Sequence, residues 1–330
     1  MKTIAIPALR TEEALGTIGP FEILTKTLAL SHKLIERSSS ARLFDVHLVS
    51  DNARPVSYSN GITVNPRATL KSRPDIIVVP SLDEDIGKSL KQNDTYVSWV
   101  RDNFERGVHV SSLCTGAFIL GAAGILNGKK ATTHWFFADE FKRRFPRVRL
   151  QEHKVIVDEG RIVTCGAATS FLNLVIYLVE KYFGHEAASL ASKIFFIDME
   201  RPSQLPFQIF SSRINHADTA VARSQKFINE RFRESVSLET LARHAGMSPR
   251  NFSRRFKLAT GESVANYIQE IRINEAKRLL ETSDLSASEI VYQVGYNDDR
   301  SFRRLFTRHV GLSPRHYRNK FKFSIQSTTA

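Results

Sequence analysis

LARHAGMSPRNFSRRFKLATGES (residues 241–263) and IVYQVGYNDDRSFRRLFTRHVGLS (residues 290–313) are two versions of one pattern. The second halves of the two copies align at a spacing of 50 residues, whereas the first halves align at 49, so one residue is inserted in the turn between them. Phenylalanine, glycine and serine positions match: Phe252, Phe256, Gly261 and Ser263 recur as Phe302, Phe306, Gly311 and Ser313. Such self-similarity indicates one supersecondary unit that occurs twice.

The first copy reads as a helix, a glycine turn and a second helix. Apolar residues at helical spacing form the buried stripe of the first helix: Leu238, Leu241, Ala242 and Ala245. Gly246 suits the left-handed conformation that ends a helix, and Ser248 followed by Pro249 is typical of a helix N-terminus. In the second copy Asn297 or Asp298 takes the capping position. The pattern therefore predicts two helix-turn-helix units.

The second helix of each unit has an apolar and a polar side. Phe252 and Phe256 are four residues apart and therefore share the inner side. The polar residues face outwards: Arg250, Asn251, Ser253 and Arg254 in the first unit, and Arg300, Ser301, Arg303 and Arg304 in the second. Arginine can form two hydrogen bonds with guanine and asparagine with adenine, so these helices suit the major groove of DNA. The alternative is a pair of helical hairpins with solvated basic faces.

The distribution of charge favours a polyanionic partner for this part of the chain. The 330 residues carry a formal net charge of +13, and residues 221–330 contribute +9 of it, with 20 Lys and Arg against 11 Asp and Glu. A basic domain joined to a nearly neutral one is typical of nucleic-acid binding. Residues 264–281, VANYIQEIRINEAKRLLE, predict a long helix between the two units. The two recognition helices could then enter successive major grooves, about 34 Å apart.

The first two hundred residues alternate between strand-like and helix-like patterns. Apolar runs predict strands at TIAIPAL, FDVHLVS, PDIIVVPS and VHVSSLC, with helical spacing in the segments between them. Residues 154–166, KVIVDEGRIVTCG, read as a hairpin that turns at residues 158–160. Two helices are predicted after it, at about 168–183 and 185–196. Alternation of strands and helices implies a mostly parallel sheet covered on both faces.

These patterns divide the chain into two domains. Residues 1–197 form the α/β domain, and residues 198–217, with two prolines and no clear period, form a linker. Residues 218–322 form an all-helical domain, and residues 323–330 form a tail. The composition, 42% apolar and 25% charged, is that of an ordinary globular protein and excludes a disordered or fibrous chain.

Cysteine content and hydropathy predict a cytoplasmic protein without a membrane partner. Cys114 and Cys165 are too few for a disulfide framework and match no zinc-ligand spacing, so we expect no metal and no cofactor. The N-terminal MKTIAIPALRTEE lacks the apolar core of a secretory signal. No window of the sequence reaches the roughly 20 apolar residues of a membrane-spanning helix.

Cys114 lies where a predicted buried strand gives way to a helix, which is the geometry of a nucleophile elbow. A helix N-terminus lowers the pKa of a nearby thiol, and His134, 20 residues on, is a candidate partner for it. Three roles remain open for Cys114: a catalytic nucleophile, an oxidisable thiol, or an inert side chain that lines a pocket. His134 can equally be a structural histidine. Cys165, on the hairpin, is predicted to lie in the core.

The helical part of the chain resembles the DNA-binding domain of AraC/XylS-type transcription regulators. The resemblance covers residues 218–320 and includes both glycine turns, the IRINEAKRLL helix and the closing GLSPRHYR. It implies two helix-turn-helix units whose second helices read double-stranded DNA at the outward positions named above. The sequence departs from the family at Val264, where proline is frequent, and at Asp299, an acid at the start of the second recognition helix. An acid at this position could repel phosphate or accept a hydrogen bond from cytosine.

Residues 1–195 resemble the PfpI-like, class I glutamine-amidotransferase-like superfamily. Its most specific part is CTGAFILGAAGILNGKKATTHW, residues 114–135. The resemblance implies a flavodoxin-like α/β fold. Active members carry an acid beside the cysteine, and alignment through GPFEIL places Gly16 at that position, with Glu12 and Glu13 out of register. The resemblance therefore implies a relative that has lost catalysis.

The two halves together resemble GlxA-family regulators, and ERPSQLPF (residues 200–207) is similar to the junction between the domains of that family. Members are activators that respond to small amino-acid or amine metabolites. The resemblance implies an effector site at the carboxyl ends of the parallel strands, near Gly16, Cys114, Thr115 and His134. It also implies a homodimer and contact with RNA polymerase at a promoter.

Two other hypotheses compete with a ligand-responsive regulator. The first is a cysteine-dependent hydrolase, an amidase or a glyoxalase-like enzyme that carries an accessory DNA-binding domain. The second is a constitutive DNA-binding protein with a vestigial first domain. Loss of an activity in Cys114→Ala with unchanged DNA binding would favour the enzyme, because the thiol is essential only there.

Overall fold

The structure is a computed structural model, and its described residues are 2–34, 44–198, 203–210 and 216–322. The chain divides into two compact units, Met1–Gln204 and Leu205–Ala330. The predicted linker is described only in part, and the predicted tail, residues 323–330, lies outside the described residues. Within the described ranges, no helix is long and apolar enough to cross a membrane.

The first unit is built on a sheet whose described part has seven strands, accompanied by two short strand pairs. The strands are β1 (Lys2–Pro7), β2 (Phe44–Ser50), β3 (Val56–Ser57), β4 (Thr63–Val64), β5 (Ala68–Thr69), β6 (Ile76–Val79), β7 (His109–Ser112), β8 (Lys130–Ala131), β9 (Arg149–Leu150), β10 (Ile156–Asp158) and β11 (Ile162–Cys165). The order in the sheet is β10-β11-β7-β6-β1-β2-β5; the edge strand β10 pairs antiparallel with β11, and the other pairs are parallel. The predicted, mostly parallel sheet is confirmed.

Helices cover both faces of this sheet. They are α1 (Leu15–Leu34), α2 (Ile86–Gln92), α3 (Asp94–Glu105), α4 (Ala117–Ala122), α5 (Ala138–Arg144), α6 (Phe171–Phe183) and α7 (His185–Ile194). Alternate residues of β1 serve opposite faces, because successive side chains of a strand point in opposite directions. Ile4 and Ile6 pack with α1, α6 and α7, whereas Ala5 packs with the core formed by α2, α3, α4 and α5. The fully buried strand at residues 76–79 belongs to both cores.

The hairpin and the two helices after it lie close to their predicted bounds. β10 and β11 pair antiparallel, and the turn between them contains Gly160 at φ +80°. α6 begins at Phe171 because residues 168–170 form a separate 3-10 turn, and α7 ends at Ile194. Cys165 is fully buried, as predicted.

Three neighbouring parallel strands end at one edge of the sheet. β1 ends at Pro7, β6 at Val79 and β7 at Ser112. The segment after β7 stays beside β6, since the N–H of Leu113 donates to the carbonyl oxygen of Val79 at 2.9 Å. Loops at this edge are where ligands bind in open α/β sheets. The fold therefore places Cys114 and Thr115 at the predicted edge.

The second unit is helical throughout its described residues. Its helices are α8 (Thr219–Arg231), α9 (Leu238–His244), α10 (Pro249–Thr260), α11 (Val264–Thr282), α12 (Ala287–Gln293), α13 (Asp299–Val310) and α14 (Pro314–Phe321). A single 3-10 turn, Leu205–Phe207, precedes them. The predicted α/β domain followed by an all-helical domain with two helix-turn-helix units is confirmed.

The two repeats share their turn and cap chemistry. Gly246 and Gly295 adopt φ values of +66° and +84° between the two helices of each unit. Ser248 caps α10 by accepting from the N–H of Asn251, and Asp298 rather than Asn297 caps α13. The recognition helices both end on a left-handed glycine, Gly261 and Gly311. The repeat seen in the sequence is therefore a repeat of backbone conformation.

Each repeat has its own apolar core, and α11 contributes to both. Phe252 and Phe256 of α10 are fully buried and pack with Tyr267 at the start of α11. In the second repeat Phe302 and Phe306 pack with Leu280, near the end of α11. The long helix predicted between the two units is thus α11, which packs into both cores.

Candidate functional site

The recognition helix of the first repeat presents a polar face. Arg250, Asn251 and Arg254 are exposed, and Ser253 is half-buried. Nη2 of Arg254 donates to Oδ1 of Asn251 at 3.2 Å, which holds the guanidinium over the N-terminal half of α10. A guanidinium whose orientation is already fixed loses less side-chain entropy when it binds a partner.

The second recognition helix repeats this arrangement with one difference. Arg300, Ser301, Arg303 and Arg304 are all exposed. Nη2 of Arg304 donates to Oγ of Ser301 at 3.3 Å, which is the counterpart of the Arg254–Asn251 bond. Arg303 instead forms an ion pair with Asp299 at 2.8 Å. Contact of these side chains with DNA stays a prediction.

Arg255 has a structural role that the sequence pattern did not reveal. Its Nε and Nη2 atoms donate to Oδ2 and Oδ1 of Asp218, both at 2.8 Å. Asp218 also caps α8 by accepting from the N–H of Val221. The hydrogen bonds from Arg255 hold the pKa of the Asp218 carboxyl below its usual value. This pair fastens α10 to the start of α8 and leaves the outward arginines to act on a partner.

In the first unit, Cys114 occupies the predicted strand-to-helix turn. Its φ is +50°, a value that non-glycine residues rarely adopt. The next residue locks the turn, since Oγ1 of Thr115 donates to the carbonyl oxygen of Leu82 and accepts from its N–H, both at 2.8 Å. A Cβ on Gly116 would lie 2.3 Å from the carbonyl oxygen of Pro80. The elbow geometry is confirmed, and the segment after β6 fixes it.

The expectation of a lowered thiol pKa at Cys114 is wrong. Burial raises the pKa of the Cys114 thiol to about 11, and the charge of Glu13 also raises it. Hydrogen bonds from Thr115 act in the opposite direction without outweighing burial. Desolvation of the half-buried Cys114 side chain therefore outweighs the effect of the helix N-terminus on its pKa. At neutral pH the side chain is a thiol and lacks the charge of a nucleophile.

His134 follows the loop that holds the Cys114 backbone. Oγ1 of Thr133 donates to the carbonyl oxygen of Cys114 at 2.9 Å, which brings the two segments together. Nδ1 of His134 accepts from the N–H of Phe136 at 3.1 Å. Burial lowers the pKa of His134, so the imidazole is neutral at pH 7 with its proton on Nε2. Among the described residues no hydrogen bond joins this ring to the Cys114 thiol.

Gly16 lies at the same edge of the sheet. A Cβ at this position would be 2.5 Å from Oγ of Ser81, in the segment that also contacts Thr115 and Gly116. Pro20 lies one turn further along α1 and has no N–H, so it cannot donate to the carbonyl oxygen of Gly16. The structure thus brings Gly16, Cys114 and Thr115 around residues 80–82, with His134 on the adjoining loop.

Gln204 is a residue of this site that sequence reasoning missed. It is 2% exposed, and its side-chain amide is hydrogen-bonded within the loop that carries His134. A Cβ on Gly166 would lie 2.4 Å from this amide, so only glycine leaves room for it. The one signal in the sequence was its position in ERPSQLPF, which was assigned to the linker.

No metal site accompanies these groups in the described ranges. Within them, no cluster of three or more His, Cys, Asp or Glu side chains could hold a metal ion. The groups around the turn are a neutral thiol, a neutral imidazole and backbone amides. Such a set can donate and accept hydrogen bonds to a small polar molecule.

Two family models match separate parts of the chain. Residues 2–181, more than half of the sequence, match the DJ-1/PfpI family. Residues 241–320 match a helix-turn-helix domain family. The boundaries of the two matches fall within the two structural units.

Known proteins similar to the chain include regulators and an enzyme. The HTH-type transcriptional regulator CdhR of Pseudomonas aeruginosa is 25% identical over 303 residues, covering 89% of this chain and 87% of that protein. The HTH-type transcriptional regulator GlxA of Rhizobium meliloti is 27% identical over 209 residues, covering 63% and 64%. Isonitrile hydratase of Pseudomonas putida is 31% identical over 147 residues, covering 44% and 62%.

Proposed function

The chain belongs to the DJ-1/PfpI family and joins that domain to an AraC-type helix-turn-helix domain, and on this basis we propose that it is a transcription regulator. It binds specific sequences of double-stranded DNA through α10 and α13. The observation that carries this proposal is the repeated placement of exposed arginines on two capped helices, each held by two buried phenylalanines. Charge supports it as well, since the basic excess is concentrated after residue 220.

A small molecule controls this binding from the first unit. The proposed effector is an amino acid or an amine, and it binds near Gly16, Cys114, Thr115 and His134. The neutral imidazole offers an Nε2–H donor to such a ligand. In the same proposal the protein is a cytoplasmic homodimer that acts as an activator next to RNA polymerase.

Catalysis is the second candidate, and the similarity to isonitrile hydratase favours it. Against it stand the raised pKa of the Cys114 thiol and the predicted replacement of an acid by Gly16. A regulator needs only that the site bind one ligand more tightly in one state of the protein. We therefore assign binding rather than turnover to this site.

DNA binding is tested by selection. The full-length protein selects duplexes from a random library, and affinity is then measured by fluorescence anisotropy at several salt concentrations. We expect one enriched sequence and a steep loss of affinity as salt rises, since bound cations displace counterions. No enrichment, or an affinity that does not vary with salt, would remove the DNA-binding proposal.

Effector binding is tested by thermal shift. The full-length protein is screened against amino acids, betaines, amines and small carbonyl compounds, because a ligand of the native state raises its midpoint. A compound that raises the midpoint is then added to the selected duplex complex. A change in DNA affinity supports control by that compound. DNA binding that no compound alters would favour the constitutive protein with a vestigial first domain.

A further inference from the structure

Gln204 makes an unusually complete set of hydrogen bonds. Its Oε1 accepts from the N–H groups of Trp135 and Ala167, at 3.3 and 3.1 Å. Its Nε2 lies within 3.0–3.2 Å of four acceptors: Oγ1 of Thr132 and the carbonyl oxygens of Thr133, Glu152 and Lys154. The backbone N–H of Gln204 donates to the carbonyl oxygen of His153 at 2.7 Å. A buried amide satisfied in this way fixes the segments around it.

The side-chain amide of Gln204 is hydrogen-bonded to the residues on both sides of His134, in the loop of the proposed effector site. The carbonyl oxygen of Thr133 precedes His134 and accepts from Nε2, and the N–H of Trp135 follows it and donates to Oε1. Thr133 in turn holds the Cys114 backbone. A ligand that displaces His134 must therefore lengthen or shorten the hydrogen bonds of Gln204.

The residues after Gln204 are fixed to the DNA-binding unit. Pro206 is buried, and the ring of Phe207 packs edge-on against Phe321 of α14, with centroids 5.3 Å apart. Nζ of Lys277, a buried residue of α11, donates to the carbonyl oxygen of Gln208. α11 is the helix that joins the cores of the two repeats. The segment is thus bound to the element that sets their relative placement.

Only Leu205 separates the buried Gln204 from the buried Pro206. Two residues of chain span at most about 7 Å, so displacement of one anchor cannot be absorbed by a slack linker. Leu205 is restricted as well, because it lies with Pro206 in the 3-10 turn Leu205–Phe207, where the proline ring fixes φ at position 206. The chain itself thus makes a short mechanical link from the His134 loop to α11.

We propose that Gln204 couples the effector site to the DNA-binding domain, an inference that rests on the function proposed above. A ligand bound near His134 changes the hydrogen bonds of Gln204, and the backbone through Pro206 transmits that change to α11. Coupling between two binding sites is reciprocal, so binding of DNA must alter the hydrogen bonds of Gln204 in turn. This reciprocity allows a test that needs no identified effector.

The test measures amide hydrogen exchange in the full-length protein, with and without a duplex that it has selected from a random library. We expect exchange at the amides of Trp135 and Ala167 to change on DNA binding by at least about fivefold, the lower end of common allosteric coupling. In Gln204→Ala the duplex should still bind while the exchange response falls below about twofold. Gln208→Ala is the matched control, since only the backbone of Gln208 holds Lys277, and it should respond like the parent protein.

A second variant covers the case in which Gln204→Ala fails to fold. Insertion of Gly-Ser-Gly between Gln204 and Leu205 keeps both anchors and gives slack to the link. It should retain duplex binding and lose the exchange response. The coupling alone is overturned if the parent protein binds the duplex without a change in amide exchange. It is also overturned if the insertion variant shows the same change in exchange as the parent protein. Failure to select any duplex overturns the proposed function, and the coupling with it.

Discussion

Arg303 is paired with Asp299 one helical turn earlier, with Nε to Oδ1 at 2.9 Å and Nη2 to Oδ2 at 2.8 Å. The equivalent positions of the first repeat are Ser253 and Pro249, so only the second recognition helix carries this pair. The charge of Arg303 is therefore partly neutralised before any partner arrives. The two helices share a fold and differ in the charge that they present.

The Asp299→Asn change should release Arg303 for DNA. We expect affinity for a random duplex to rise by up to about fivefold at low salt, since an exposed pair of this kind is worth at most about 1 kcal/mol. The salt dependence should steepen by about one unit for one freed cation. Glu230→Gln, which removes an exposed acid from α8, is the control and should lack the added salt dependence. A loss confined to the selected duplex would mean that Asp299 itself contacts a base.

Arg254→Ala and Arg304→Ala test base reading in each repeat. Each should weaken binding to the selected duplex by about 1–3 kcal/mol and change random-duplex binding much less, because a guanidinium held by Asn251 or Ser301 suits one base edge. Anisotropy titrations on both duplexes measure the difference. Arg223→Ala, on the exposed side of α8, provides the baseline. Equal losses on both duplexes would assign the arginines to phosphates.

The raised thiol pKa predicts the reactivity of Cys114. Alkylation by iodoacetamide, followed by mass spectrometry, should accelerate about tenfold per pH unit between pH 7 and 9.5 with no plateau, since the thiolate population grows until about pH 11. The same raised pKa makes the free energy of unfolding depend on pH. The contribution of the Cys114 thiol to stability is complete below its pKa in the unfolded state and is lost as the pH rises through its pKa in the folded state. The Cys114→Ala variant reports the alkylation of Cys165 alone, which is subtracted from that of the parent protein. A rate already constant at pH 7–8 would show a thiolate and revive the enzyme hypothesis.

The two turn glycines make a matched pair for a stability test. Gly246→Ala places a methyl group where no atom lies within 4 Å, so the cost is the positive φ alone, about 1–2 kcal/mol. Gly295→Ala adds a contact of 2.5 Å with the carbonyl oxygen of Arg233, which raises the cost to about 2–5 kcal/mol. Urea unfolding followed by circular dichroism compares them. Equal midpoints would contradict the close packing at Gly295.

The helix-turn-helix repeats were predictable because their signals are local. Gly246, Ser248 and the phenylalanine pair lie within eleven residues, and caps and turns act over that distance. The choice between Asn297 and Asp298 was open in the sequence, since either can cap. It depends on the backbone at Asp298, whose carboxylate accepts from two N–H groups of α13.

The placement of Cys114 and Thr115 at the edge of the sheet was predictable, and the chemistry of the proposed effector site was not. The edge where β1, β6 and β7 end followed from strand–helix alternation. The pKa of Cys114 depends on burial among segments distant in sequence, and the local rule for a helix N-terminus gave the wrong sign. Gln204 was hidden for the same reason. Its side-chain partners lie from 37 to 72 residues away, and proline-rich surroundings resembled an unattached linker.

The unlike side chains of the two recognition helices give the proposed complex a polarity. Asn251 and Ser253 occupy the positions that Ser301 and Arg303 occupy in the other repeat, and α11 fixes the order of the two. In the proposed complex, one chain would therefore distinguish the two ends of the copy that it binds, whereas a symmetric pair of chains reads a palindrome. Inverting the copy of the site that one chain binds would turn that chain around and carry its other surfaces away from the start of transcription.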